Sequence, residues 1–120
     1  MTVQKMNAAL PVLQKMMGLK LPIKKAYRVY SLVKQINEQR EFFINEEKKM
    51  IEKFGIIVEG GNLHFKSAEN QALFVREHDE LMQYEVEGLR SLELTFADLG
   101  DVEFTPAEIS MLEDVITFVE

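Results

Sequence analysis

Two histidines, twenty carboxylates and four serines are the side chains of this 120-residue chain that could carry out chemistry, and there is no cysteine. The missing thiol excludes disulfides, thiol nucleophiles and thiolate metal sites, and it suits a reducing compartment. His78 sits in the acidic run Glu77-His78-Asp79-Glu80. Consecutive residues on a helix point in different directions, so this run is not a ligand set. Useful metal pairs need i, i+3 or i, i+4 spacing, and neither His64 nor His78 has a second histidine at that distance. Glu77 and Glu80 do share a face, but two carboxylates three residues apart describe a solvated helix surface. Ser31, Ser67, Ser91 and Ser110 stand in no nucleophile-elbow pattern. Gly60-Gly61 lacks the Lys-Ser/Thr pair that completes a phosphate loop. The expectation is a chain with no catalytic residues, no cofactor and no metal.

Charge is the stronger signal. Residues 1–40 carry +7, residues 41–76 carry −1 and residues 77–120 carry −12, within a net charge of −6. Arg90 is the one basic residue of the last third. The plainest reading is that the two ends meet in the fold and neutralise, because each charged group is interleaved with apolar residues that must face a core. The alternative is a surface for a partner. Lys20, Lys24, Lys25, Arg28 and Lys34 form the basic stretch, with Lys20, Lys24 and Arg28 on one helix face and Tyr27 beside them. Cationic faces grip phosphates, yet a pI near 5.0 argues against a nucleic-acid reader.

These groups must be positioned by helices. Residues 2–6 read as a short strand or extended arm. Asn7 reads as the N-cap of a short helix carrying Leu10, Leu13, Met16 and Met17, with Pro11 acceptable only in its first turn. Pro22 and Gly55 frame the clearest element, residues 22–54, a rod of about 48 Å at ~1.5 Å per residue. A heptad seam runs through Ile23, Ala26, Tyr30, Val33, Asn37, Arg40, Ile44, Glu47, Ile51 and Phe54. Val29, Leu32, Ile36, Phe43 and Met50 form a second stripe on a neighbouring face. A β-hairpin is expected over 56–66 around Gly60-Gly61. A helix over 68–87 comes next, capped by Ser67 and ended by Gly88, with Ala68, Ala72, Val75, Met82 and Val86 inward. Residues 92–96 alternate as a strand does, Thr105-Pro106-Ala107-Glu108 is a capping box opening a helix over 106–115, and VITFV is open between helix and strand. Met16, Met17, Met50, Met82 and Met111 at apolar helical positions read as adaptable core fillers.

The expected fold is therefore α+β, mostly α, in a single domain. Two long antiparallel helices are joined by a β-hairpin, and a short C-terminal strand/helix segment over 92–120 returns against them. The 22–54 rod outruns its partner helix. Its surplus stripe, with Tyr30, Val33 and Ile36, must be covered either by the two ends of the chain or by a second copy. Self-association is the favoured expectation, with Asn37 and Arg40 setting register. The expected partner-binding residues are Lys20, Lys24, Lys25, Arg28, Tyr30, Val33, Asn37 and Arg40.

The order of parts also resembles a group of short uncharacterised proteins of tailed bacteriophages and prophages. The resemblance spans roughly residues 20–118: a Lys/Glu-rich helix ending in KFG, the GGNLHF turn, an acidic helix ending MQYEVEGL, and the tail LTFADLGDVEFTPAEISMLEDV. The resemblance implies a phage origin and a role in the host cytoplasm, and it brings no catalytic residues and no cofactor. Two functions are expected from it: a non-enzymatic assembly or accessory factor acting through helical faces, or an inhibitor of a host enzyme whose acidic last third imitates the charge of nucleic acid.

Overall fold

The computed structural model describes residues 1–57 and 60–120. It is mostly helical with two small sheets, an α+β arrangement. Helix α1 spans Val3–Met16, α2 Ile23–Phe54, α3 Ala68–Met82 and α4 Pro106–Leu112. Strands β1 (Gly55–Ile57) and β2 (Leu63–Phe65) pair antiparallel, and β3 (Leu92–Thr95) and β4 (Ile116–Val119) pair parallel.

Helix α1 starts earlier than its sequence suggests. Thr2, not Asn7, is the N-cap, its side chain accepting from the Lys5 amide, so the expected arm over 2–6 is the first turn of the helix. Pro11 consequently lies mid-helix, where it removes the bond to the Asn7 carbonyl. Both residues are exposed, so water can take the place of the lost donor, and the cost falls on the solvent face. The inward face, Val3, Met6, Ala9, Leu10, Leu13 and Met16, is buried.

Helix α2 begins after Pro22 and stops at Gly55, as the punctuation of the sequence requires. Its core face, however, is mainly the second stripe, with Val33 and Phe54 the buried members of the heptad seam. Val29, Leu32, Ile36 and Phe43 are buried, whereas the seam residues Ile23, Tyr30 and Ile44 face solvent. The reason lies in where α1 lands: it packs on α2, and α4 and β3 close over the same cluster. Val33 and Ile36 are thus covered by the two ends of the chain and need no second copy, while Tyr30 stays half exposed.

Beyond Phe43 the molecule narrows to an arm of α2, the β1–β2 pair and α3, and the whole extends 54 Å along its long axis. Gly55 pairs with Phe65 and Ile57 with Leu63; Gly60 and Gly61 both have positive φ, at 87° and 79°. Val58 and Glu59, the rest of the expected first hairpin strand, lie outside the described residues. Contacts then step back down α2 as α3 advances: Glu77 lies 3.8 Å from Lys53, His78 3.1 Å from Glu47, and the Tyr84 ring 5.7 Å from that of Phe43.

Helix α3 ends at Met82, five residues short of its expected length. The chain's first residues pair with the segment just beyond it: the Val3 amide donates to the Tyr84 carbonyl and the Val86 amide to the Met1 carbonyl. Tertiary pairing overrides a helical pattern in these residues. Of the expected inner face only its C-terminal end reaches the core, where Met82 packs against it and Val86, beyond the helix, is buried. No residue within α3 is fully buried, and Val75 is 58% exposed.

The C-terminal segment resolves the ambiguity of VITFV. Ile116–Val119 is a strand, parallel to β3 in the register Leu92↔Ile116. A parallel pair needs a long crossover, and the intervening chain supplies a 3₁₀ turn over Phe96–Leu99 and α4. Helix α4 closes at Leu112, not 115, because Val115 is drawn into the turn that enters β4. Its capping box forms as expected, Thr105 and Glu108 exchanging bonds of 2.9 and 3.1 Å.

Candidate functional site

The first half of α2 turns an outward face to solvent that carries its least expected side chains. Ile23 is 82% exposed, Tyr27 65% and Tyr30 49%, and the two tyrosine rings lie 6.2 Å apart. An apolar group left wet forfeits roughly 1.5–3 kcal/mol of burial, so three in successive turns of one helix ask for a reason.

The segment 88–92 forms the opposite wall of a groove against this face. Gln35 fixes it with two bonds from one amide group: Nε2 donates to the Gly88 carbonyl at 2.6 Å, and the Arg90 amide donates to Oε1 at 3.0 Å. Gly88 has a φ of 80°, a conformation that side chains disfavour, and it lets the chain turn onto α2. A hollow of about 700 Å³ lies between Tyr27, Arg28 and Ser31 on one side and Leu89–Leu92 on the other. A second, of about 330 Å³, continues it past Tyr30, Lys34 and Glu38.

This groove collects cations. Arg90, the one basic residue of the acidic third, is brought to the face already carrying Arg28 and Lys34, and Lys24 adjoins along Tyr27. Among the described residues none of these four forms an ion pair, and Glu38 is the one carboxylate lining the hollows. Of the expected site residues, Arg28 and Tyr30 line the groove, and Lys24 stands at its edge. Lys20 is exposed just ahead of α2, and Asn37 is exposed farther along it, in a shallow hollow with Tyr30 and Met17. Three others are engaged within the chain. Val33 is 6% exposed and belongs to the core, Arg40 donates to Asn7 Oδ1 at 3.2 Å, and Lys25 bonds Asp98 Oδ2 at 2.6 Å. Gln35 and Leu89 carry no signal of their own beyond the break at Gly88, and Arg90 carries that of a lone cation in an acidic third.

Elsewhere the two charged ends do neutralise. Lys15 reaches Glu108 and the Glu103 carbonyl, Lys5 faces Asp114 at 3.8 Å, and the terminal ammonium meets Glu85 at 3.0 Å. Among the described residues six of the thirteen acids in residues 77–120 are held in ion pairs, Glu85, Asp98, Glu108 and Asp114 by the first third of the chain and Glu77 and Glu80 by Lys53 and Arg76 of the middle. The Lys25 ammonium and the Thr95 amide hold the Asp98 carboxyl below its ordinary value, and the Thr105 amide with Lys15 does the same for Glu108. A carboxyl lowered in the folded state stabilises above its unfolded value, and that contribution disappears as pH falls through the folded one. Thermal melts should therefore show a Tm that drops as pH descends through and below the usual carboxylate range. Asp98→Asn should flatten that drop, and an unchanged profile would show that the pair contributes nothing.

Among the described residues no group of three or more His, Cys, Asp or Glu side chains could hold a metal ion, and no helix is long and apolar enough to cross a membrane. Compared with protein-family models, with curated proteins and with solved structures, the chain gives no match.

Proposed function

We propose that this chain is a non-enzymatic protein-binding factor, of the phage accessory or assembly kind that the resemblance implies, and that it binds through the outward face of the first half of α2. One observation carries this reading: Ile23, Tyr27 and Tyr30 stand exposed beside a preformed groove, while Val29, Leu32, Val33 and Ile36 of the same helix half are packed into the core. Aromatic and arginine side chains at the rim of an apolar hollow are the usual anchors of protein interfaces.

The competing reading, nucleic-acid mimicry by the acidic third, loses support from the ion pairs that Glu85, Asp98, Glu108 and Asp114 make with the chain's own cations. A mimic needs its carboxylates free and facing outward. Self-association likewise loses its first argument, since Val33 and Ile36 are already buried within one chain.

The test is site-specific photo-crosslinking in lysate of the host cell, with the reactive residue at position 27 or, as a control, at position 79. Position 27 should give a discrete protein adduct that excess unlabelled chain competes away. Equal adducts at both positions, or none at 27, would refute the reading.

A further inference from the structure

Resting on that protein-binding reading, we infer that the groove's partner is an acidic protein segment that inserts a bulky apolar side chain between Tyr27 and Leu89–Leu92 and sets carboxylates against Arg28, Lys34 and Arg90. The charge argument comes first. Among the described residues six of the chain's other ten Lys and Arg side chains pair with carboxylates, Lys25 with Asp98, Lys15 with Glu108 and Lys53 with Glu77 among them, while Lys20, Arg40, Lys48 and Lys66 do not. Lys24, Arg28, Lys34 and Arg90 form no such pair among the described residues, although Lys24 and Lys25 are adjacent in sequence. Arg90 also reaches this face against the sign of its own segment, held by the Gln35 clamp on its backbone. A patch of four cations with one lining carboxylate, Glu38, is net positive in an acidic protein and so complementary to an anionic partner.

The hollow supplies the second half of the argument. At about 700 Å³ it is large enough for a tryptophan or leucine side chain, and Leu89, Leu92 and the Tyr27 ring give that side chain an apolar lining. A purely electrostatic site would not need it. A nucleic acid fits less well, because a long polyanion also meets the exposed carboxylates of the rest of the surface. A short acidic segment meets only the groove.

The probe is a short glutamate-rich peptide carrying one tryptophan and two leucines, titrated into the isotopically labelled full chain and followed by amide chemical shifts. Three controls accompany it: a peptide with serine for the tryptophan and leucines, one with lysine for every glutamate, and an oligothymidylate of similar length. Shifts should concentrate in residues 23–38 and 88–92 with the first probe alone. They should weaken as salt rises, and fall roughly tenfold or more in apparent affinity for Tyr27→Ala and for Arg90→Glu. A well-dispersed spectrum of each variant shows that its fold is intact, and both side chains are exposed enough to be changed without unfolding. The inference is overturned by equal binding of the serine or lysine peptide, by stronger binding of the oligothymidylate, or by shifts outside these residues. It is also overturned by concentration-dependent shifts of the groove without any probe, which would make a second copy the occupant. Absence of any shift overturns it too; if position 27 still crosslinks a discrete protein, the acidic-partner inference has failed and the protein-binding reading stands.

Discussion

Replacing Ile36 with alanine is expected to destabilise the fold by about 2–5 kcal/mol. Ile36 is fully buried, in the cluster where α1, β3, β4 and α4 meet the helix, so removal of its branches leaves a cavity that rigid helices on several sides cannot fill. Ile23→Ala, the same chemical change on the same helix, should stay within about 0.5 kcal/mol because that side chain is already wet. Urea unfolding of the pair measures the difference directly. Similar losses at both positions would mean that the heptad seam, not the second stripe, faces the core.

Gln35→Ala should have a smaller effect, and of a different kind. Its two bonds to the 88–90 backbone contribute about 0.5–1.5 kcal/mol each, so the substitution should cost roughly 1–3 kcal/mol. It should also release the groove's second wall. Hydrogen exchange at the Arg90 amide should then accelerate by more than the global stability loss explains, because the local opening no longer has to break that bond. Gln35→Glu keeps the acceptor for Arg90 but loses the donor to Gly88, and it should fall between the two. Exchange at Arg90 that merely tracks the global change would show that the clamp does not hold this wall.

How legible these features are depends on whether the signal is local. The ends of α2 can be read because Pro22 and Gly55 act within a residue or two of themselves. The same holds for the Thr105–Glu108 box and for the paired positive-φ glycines at 60 and 61. The start of α1 escapes a local reading because the penalty of Pro11 depends on whether its lost bond faces water, which only the fold decides. Both apolar stripes of α2 are sound helical patterns, and α1 chooses between them. VITFV becomes a strand because of a parallel partner more than twenty residues earlier in sequence, which no window over 115–119 contains. Half of the site is visible in the sequence, as Lys24, Arg28, Tyr27 and Tyr30 lie at helical spacing on one segment. Its other half is not, since Arg90 joins them only through Gly88 and the bonds of Gln35. Lys25 shows the converse. Adjacent to Lys24 and chemically identical to it, it is spent on Asp98, a distinction set by one step around the helix.

The central claim is that the groove's cations are free for a partner and do not hold the fold together. Equilibrium urea unfolding of the triple variant Lys24→Gln/Arg28→Gln/Arg90→Gln, at moderate salt, tests it most directly. Surface groups without partners are worth little to stability, so the account predicts an unfolding free energy within about 0.5 kcal/mol of the parent chain. A loss of about 2 kcal/mol or more that shrinks as salt is added would show that these residues neutralise the acidic third within the fold and would contradict it.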